Sequence, residues 1–370
     1  MAGLLQALVG TSEKAAHIAR LCRREEPLFQ LLVAEKKGTD RNRRFLHDFK
    51  TLADVLIQEV IKHDLGKEFP DLRGHIHGEE SNEFQTGQGD TVTVRVCATA
   101  GDTAALLLSV LEPEREAAEL LAAAVHRDVE LSDAELTRVE LSLPTQDLAI
   151  WIDPIGEGGG CWQKCPLLKP RSGAHRHRGQ CPLLKPRSGG GGGGEAAGHL
   201  AGQPRADGAH PRRWQGRYHW GVAYGGTKLS SLSPPQPRPV PCVVLSRAEG
   251  AAVRGVLDPL CGGRLRFAAG AGYKLLCVIL GLADAYVLAE GTTFAWDACA
   301  PHAILRALGG GVVDLAEALR ARREGDAGPP PELLYNRPLE GAVGAERWAN
   351  RGGLVAYGHP QHLEALLAAL

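Results

Sequence analysis

Residues 272–315 read GYKLLCVILGLADAYVLAEGTTFAWDACAPHAILRALGGGVVDL. Gly272 to Gly281 predicts a helix and Ala285 to Leu288 a strand. Ala298 to Leu308 predicts a second helix, stopped by Gly309-Gly310-Gly311, and Val312 to Leu315 a second strand. Helix and strand interleave within this one stretch, which makes the fold class α/β or layered α+β.

The same alternation continues outward. Val240 to Leu245 reads as a strand after a proline-rich loop, Ala251 to Leu257 as a helix, and His362 to Leu370 as a terminal helix. Toward the N-terminus, Leu148 to Ile152 is a short apolar run between polar residues, as in a buried strand. Ala104 to Leu111, Glu114 to Val125 and Thr51 to Lys62 predict helices. His75 to His77 is strand-like and runs into Gly78-Glu79-Glu80-Ser81. Residues 2 to 37 predict mostly helix, with a break where Thr11 or Ser12 caps a new segment and another at Pro27.

Residues 156 to 213 differ. They hold ten Lys or Arg against three Asp or Glu and six consecutive glycines, Gly189 to Gly194. Cys165 to Gly173, CPLLKPRSG, recurs as Cys181 to Gly189. With no apolar period, such a segment is expected to stay unpacked. It reads as translated low-complexity DNA in a gene model. The expected organisation is therefore 1–155, an N-terminal half; 156–213, a Gly/Arg/Pro insert; and 214–370, a C-terminal half.

The chain has 370 residues, 44% of them apolar, enough for a sizeable core. A formal net charge of -1 gives no reason to expect nucleic acid or an acidic membrane as partner. Nine scattered cysteines with no CxxC pair read as reduced thiols of a cytoplasmic protein without a structural zinc. Met1 to Lys14 lacks the pattern of a secretory leader. The longest apolar run, Leu275 to Ala289, is interrupted by Gly281 and Asp284, so no membrane span is expected.

Four acidic sites stand out: Asp54 early in a helix, Glu79-Glu80 after a strand, Asp153 at the end of the 148–152 strand, and Asp297 after Trp296. Hard divalent cations take oxygen ligands, and carboxylates at strand ends and helix starts can converge from distant positions. Singly, each has a plainer reading: Asp297 as a helix cap, Glu79-Glu80 as a solvated turn, Asp54 as a first-turn acid, Asp153 as a turn with Pro154.

Their order resembles that of the lithium-sensitive phosphomonoesterase superfamily, which includes the inositol monophosphatases, bisphosphate nucleotidases and fructose bisphosphatases. Gly78-Glu-Glu-Ser-Asn-Glu-Phe84, Ala268-Ala-Gly-Ala-Gly-Tyr-Lys274, Trp296 to Arg306 and Arg347-Trp-Ala-Asn-Arg-Gly-Gly-Leu354 resemble most closely the inositol polyphosphate 1-phosphatase branch. The resemblance implies a layered α-β-α-β-α sandwich, disrupted in its centre. It implies two or three Mg2+ ions, inhibition by Li+, and removal of the 1-phosphate from inositol 1,4-bisphosphate and inositol 1,3,4-trisphosphate by a monomer. By resemblance, Glu79, Asp153 and the carbonyl of Ile155 hold one metal, and Asp297 shares a second with Asp153. Asp54 and Glu80 orient a further metal or the attacking water. Gly270, Ala271 and Lys274 hold a second phosphate, and Thr292 lies on the substrate side.

The chain departs from that pattern at Gly156, where the family has a metal-bridging Asp, and at Gly158, where it has a water-orienting Thr. Gly250 stands where the family's substrate loop carries a lysine. The expectation is an impaired phosphatase. The alternatives are a 3'(2'),5'-bisphosphate nucleotidase and an inactive inositol phosphate binder. RNA binding by the basic insert is a further, less favoured reading.

Overall fold

The computed structural model describes residues 3–24, 33–35, 49–85, 90–111, 114–131, 133–139, 148–154, 178–186, 195–204 and 214–370. At 23–24, 33–35, 49, 85, 178–186, 195–204 and 214–217 only the backbone is described. The helices of the first half are α1 (Leu4–Arg24), α2 (Leu52–Glu68), α3 (Ala100–Leu111), α4 (Arg115–Val125) and α5 (Ala134–Thr137). Two short hairpins accompany them, β1 (Val33–Glu35) with β2 (Phe49–Thr51), and β4 (Glu83–Gln85) with β5 (Thr91–Thr93).

A six-stranded sheet follows, built from β3 (Ile76–Gly78), β6 (Leu148–Ile152), β7 (Arg178–Pro186), β8 (Glu195–Pro204), β9 (Trp214–Tyr224) and β10 (Thr227–Ser230) in the order β10-β9-β8-β7-β6-β3. Only β3 and β6 run parallel. A second sheet orders β12 (Arg266–Phe267), β11 (Val243–Leu245), β13 (Ala285–Leu288), β15 (Leu354–Tyr357) and β14 (Gly311–Asp314). The helices of this half are α6 (Ala251–Leu260), α7 (Ala271–Ile279), α8 (Ala295–Ala307), α9 (Leu315–Arg323) and α10 (Pro360–Ala369).

Strand alternation divides the core into three. Leu148, Ile150 and Ile152 of β6 face α1 and α2, while Trp151 faces the other way, toward α7 and α8. In the second sheet Val244, Tyr286 and Leu288 join that middle core; Val243, Leu245, Ala285 and Val287 face outward to α6 and α10. The layers are thus helix, sheet, helix, sheet, helix, the α/β sandwich expected. Helix α8 lies directly on β9: a Cβ on Gly221 would come within 2.7 Å of Ile304 Cα.

Four expectations change. Within residues 2 to 37, read as mostly helix, Val33–Glu35 form strand β1 on β2. Helix α1 runs unbroken past residues 11 and 12, because the Thr11 and Ser12 hydroxyls donate back to the Leu8 carbonyl instead of capping a new helix. Helix α9 and strand β15 were not foreseen, since β15 is too short to show a period. Within 156–213, where no regular structure was expected, 178–186 and 195–204 form β7 and β8 between β6 and β9. A ladder is made by backbone N–H and C=O groups, so it needs no apolar period. Its register slips between Gln180 and Leu183, beside Pro182, which has no N–H to give. The rest of that segment lies outside the described residues, as do Ile155, Gly156 and Gly158.

Among the described residues no helix is long and apolar enough to cross a membrane. Among the described residues Cys22, Cys97, Cys242, Cys261, Cys277 and Cys299 form no disulfide. Burial pushes Cys22 up to about 12 and Cys261 up to about 11, which keeps both as unreactive thiols.

Candidate active site

Strands β3 and β6 pair in parallel with His77 opposite Trp151 and Gly78 opposite Ile152. The next residue after each strand, Glu79 and Asp153, therefore leaves the C-terminal end of one of two neighbouring parallel strands. Asp153 is buried and Glu79 half-buried.

Glu80 is also buried, and its peptide is clasped by a side chain. Gln58 Oε1 accepts from Glu80 N at 2.9 Å, while Gln58 Nε2 donates to the Glu80 carbonyl. Gln58 lies one turn beyond Asp54 on α2, so the two share a helix face. From the other side Lys50 Nζ donates to Ser81 Oγ at 2.7 Å. The last two residues of the Gly78-to-Ser81 loop are thus held by two buried side chains.

Asp54 and Asp297 occupy equivalent places, each at the third position of a helix. Asp54 Oδ2 accepts from Thr51 N at 2.8 Å and from the Thr51 hydroxyl at 2.7 Å. Asp297 Oδ2 accepts from Phe294 N at 2.8 Å. Each closes its helix start and sits where the helix dipole favours negative charge. Asp54 is thus a first-turn acid, as its plainer reading has it, whereas Phe294 and not Asp297 is the N-cap of α8, and Asp297 stands three residues further on, inside the helix.

An aromatic cluster floors the site. The Trp151 ring lies 4.8 Å from His77, 4.7 Å from Trp348 and 6.3 Å from Trp296. Trp296 stacks on Phe294 at 4.8 Å. His77, Trp151 and Trp296 each stand one or two residues before Glu79, Asp153 and Asp297, so their packing draws the three acidic segments toward one another. Asn350 pins the last of these, donating from Nδ2 to the Phe294 carbonyl at 2.9 Å and to Thr293 Oγ1 at 3.1 Å.

On the other flank, Gly270 precedes α7 with a φ of 77°, a conformation that suits glycine, and Ala271 opens the helix. Lys274 is buried, donates to the Gly270 carbonyl at 3.1 Å and lies over the Tyr286 ring at 4.9 Å. Burial pushes the Tyr286 hydroxyl well up, with Asp297 and Glu249 adding to the effect. Thr292 is half-buried in the loop before α8 and donates its N–H to the Glu290 carbonyl at 2.8 Å.

Among the described residues no group of three or more His, Cys, Asp or Glu is arranged to hold a metal ion. A cavity of about 690 Å³ lies elsewhere, against α1, the end of α2 and α5, and contains none of the site residues. Gln58, Lys50, Trp348 and Asn350 are missing from the residues singled out in the sequence. Trp348 and Asn350 do lie in the WANRGG stretch that signalled them, and Lys50 lies on β2 in Asp48 to Val55, a stretch that also resembles the family; a lone Gln on an apolar helix face carries no such mark.

The clasp gives a prediction. A Cβ on Gly78 would sit 1.9 Å from Gln58 Oε1. Gly78→Ala is expected to displace Gln58 and leave buried amide groups unpaired, costing about 1–3 kcal/mol. Gln58→Ala should cost a similar amount, and the double variant less than the sum. Urea midpoints of the four proteins test this, and additive losses would show that the two residues do not interact.

The fold and site define a class: a layered α/β protein with carboxylates just past the C-terminal ends of two neighbouring parallel strands and a glycine-led helix start that carries a buried lysine. The model of the inositol monophosphatase family matches residues 210–362. Inositol polyphosphate 1-phosphatase of Bos taurus is 44% identical over 391 residues, covering 100% of this chain and 97% of the bovine one. The Homo sapiens protein of the same name is 41% identical over 389 residues, with the same coverage of 100% and 97%. A 3'(2'),5'-bisphosphate nucleotidase 1 from Dictyostelium discoideum is 36% identical over 106 residues, 28% of this chain and 34% of that one. Inositol monophosphatase II of Staphylococcus aureus, a solved structure, aligns with a TM-score of 0.45 at 11% identity, over 100% of this chain and 92% of that one. The chain belongs to the inositol monophosphatase family, in its inositol polyphosphate 1-phosphatase branch.

Proposed function

We infer that this chain is a phosphatase of inositol phosphates that uses Mg2+ and removes the 1-phosphate of inositol 1,4-bisphosphate and inositol 1,3,4-trisphosphate. The observation that carries the reading is similarity, over the whole chain, to relatives named inositol polyphosphate 1-phosphatase. The donors that the family resemblance implies are carboxylate and carbonyl oxygens, the chemistry a hard ion such as Mg2+ takes, although the described residues by themselves bring no three such groups together. Glu79, Asp153 and the Ile155 carbonyl would hold one ion, and Asp297 with Asp153 a second, at which Li+ would inhibit. Bound there, Mg2+ supplies polarisation of the phosphoryl oxygens and an acidified water.

The remaining work falls to side chains. Asp54 and Glu80 orient the attacking water. Gly270, Ala271 and Lys274 receive the phosphate that is not cleaved, and Thr292 contacts the ring. The chain acts as a monomer in the cytoplasm, where its thiols stay reduced, with small inositol phosphates as partners and neither nucleic acid nor membrane. With Gly156 and Gly158 in the loop after Ile155, its turnover is impaired.

Relative turnover of inositol 1,4-bisphosphate and adenosine 3',5'-bisphosphate tests the substrate class. Preference for the inositol compound is expected. Preference for the nucleotide would move the chain to the nucleotidase branch.

A further inference from the structure

Ser233 to Pro241, SPPQPRPVP, lies between β10 and β11 and belongs to neither. Every residue in it is a proline or precedes one. Proline holds φ at about −65° and has no N–H to give, and the residue before a proline is pushed from helical to extended backbone. Such a segment forms neither a helix nor a paired central strand, and polyproline II is the conformation left to it. Residues 233–238 are accordingly in no helix or strand, and the chain bends at 239–240 before entering β11.

Polyproline II has three residues per turn, so every third residue faces the same way. Exposure follows that period. Pro235 and Arg238 are half-buried and Pro241 is buried, whereas the pairs Ser233-Pro234, Gln236-Pro237 and Pro239-Val240 are exposed. The inward ridge is anchored step by step. Pro235 packs on the turn after α7, where a Cβ on Gly281 would come within 2.8 Å of it. Arg238 donates from Nη1 to the buried Asp284 carboxylate at 2.9 Å and from Nη2 to the Gly281 carbonyl at 2.6 Å. The Arg238 carbonyl accepts from His362 Nε2 at 2.8 Å, and Asp284 also accepts from Cys242 N at 2.7 Å. One face of the segment is thus fixed to the body of the chain while the other two are open to solvent.

We propose that residues 233–237 are a docking ligand for a protein partner with an SH3-type groove. Such a groove is lined by aromatic side chains and reads a polyproline II helix from two of its three faces, each of two adjoining pockets taking a residue and the proline after it. Ser233-Pro234 and Gln236-Pro237 are two such pairs in the spacing x-Pro-x-x-Pro, about 9 Å apart along the helix. The residue between them, Pro235, is the one that points away from a groove, and it is the one packed on the body of the chain. Because the segment is ordered before it binds, it avoids part of the entropy cost that a loose proline-rich tail meets on docking. Charge gives the complex a direction. The exposed Arg264 has Nη1 3.4 Å from the Val240 carbonyl, so a positive charge flanks the C-terminal end of the segment, and the partner's groove is acidic at that end.

Surface plasmon resonance of the full chain over a panel of immobilised SH3 domains tests this. At least one domain is expected to bind. The double variant Pro234→Ala with Pro237→Ala should bind it about tenfold more weakly or worse, since the two prolines are the anchors. Both are exposed, and a urea midpoint close to that of the unmodified chain shows that the variant is folded. Gln236→Glu keeps every proline and puts a negative charge on the same face, so it should weaken binding too; it carries the test if the double variant is unstable. Arg264→Glu should weaken binding most at low salt, where charges are least screened. Equal binding by that variant would overturn the direction argued from Arg264. The docking surface itself is overturned by any of three results: no domain of the panel binds the full chain; the double variant or Gln236→Glu, when folded, binds as tightly as the unmodified chain; or a free peptide of residues 231–242 binds more tightly than the full chain, which would mean that the fold hides the segment.

Discussion

A chain carrying Gly156→Asp and Gly158→Thr is expected to hydrolyse inositol 1,4-bisphosphate on the order of 10²-fold faster than the unmodified chain. Hydrolysis gathers negative charge on one phosphoryl group, and the site meets it with preorganised positive charge. By family resemblance, position 156 supplies a carboxylate bridging metal and substrate, and position 158 a hydroxyl that orients water with Asp54. Losing one such group typically costs on the order of 10² to 10³ in rate. The two belong to one unit, so their losses should not multiply, and either single replacement should recover little. Recovery should stop short of the bovine relative's rate, because the Gly/Arg/Pro stretch still follows these two positions in sequence. The comparison is of kcat/KM for the unmodified chain, both single variants and the double variant. An unmodified chain as fast as the bovine enzyme would show that this loop does not need the Asp and Thr.

Trp151→Ala should be among the most destabilising single changes in the described chain. The ring is almost wholly buried between β6 and α8 and touches His77, Trp296 and Trp348. Its loss opens a cavity at the joint of the two sheets and should cost about 3–5 kcal/mol. Trp151→Phe should cost much less than its lost volume suggests. Among the described residues Trp151 Nε1 has no hydrogen-bond partner, and phenylalanine removes that buried N–H together with the volume. Urea midpoints at unchanged m-value measure both. Equal losses for Ala and Phe would mean that the indole N–H, not the packing, is what matters here. Because the same ring sets the spacing of the acidic segments, W151A should also weaken Mg2+ binding even in the folded fraction.

Much of the α/β alternation is written locally. The helices at 251–260, 271–279 and 295–307 and the strands at 148–152 and 285–288 follow from apolar period, caps and glycine stops, all of which act over a few residues. The acidic residues were visible at strand ends and helix starts, whereas Lys274 was legible only through the resemblance of Ala268 to Lys274 to the family. What the chain order cannot express is who meets whom. Gln58 clasps Glu80 across 22 residues, Asn350 reaches Thr293 across 57, and Glu249 reaches Ala289 across 40. The Thr11 and Ser12 hydroxyls look like caps in sequence and become back-bonds only because packing keeps α1 continuous. Strands β7 and β8 exist only as partners of β6 and β9, since their side chains give no period and their ladder is backbone alone. Residue type and local spacing thus determined the elements and the chemistry on offer. Tertiary structure decided their register and support, since a buried polar group selects its partner by geometry in space, which sequence distance does not encode.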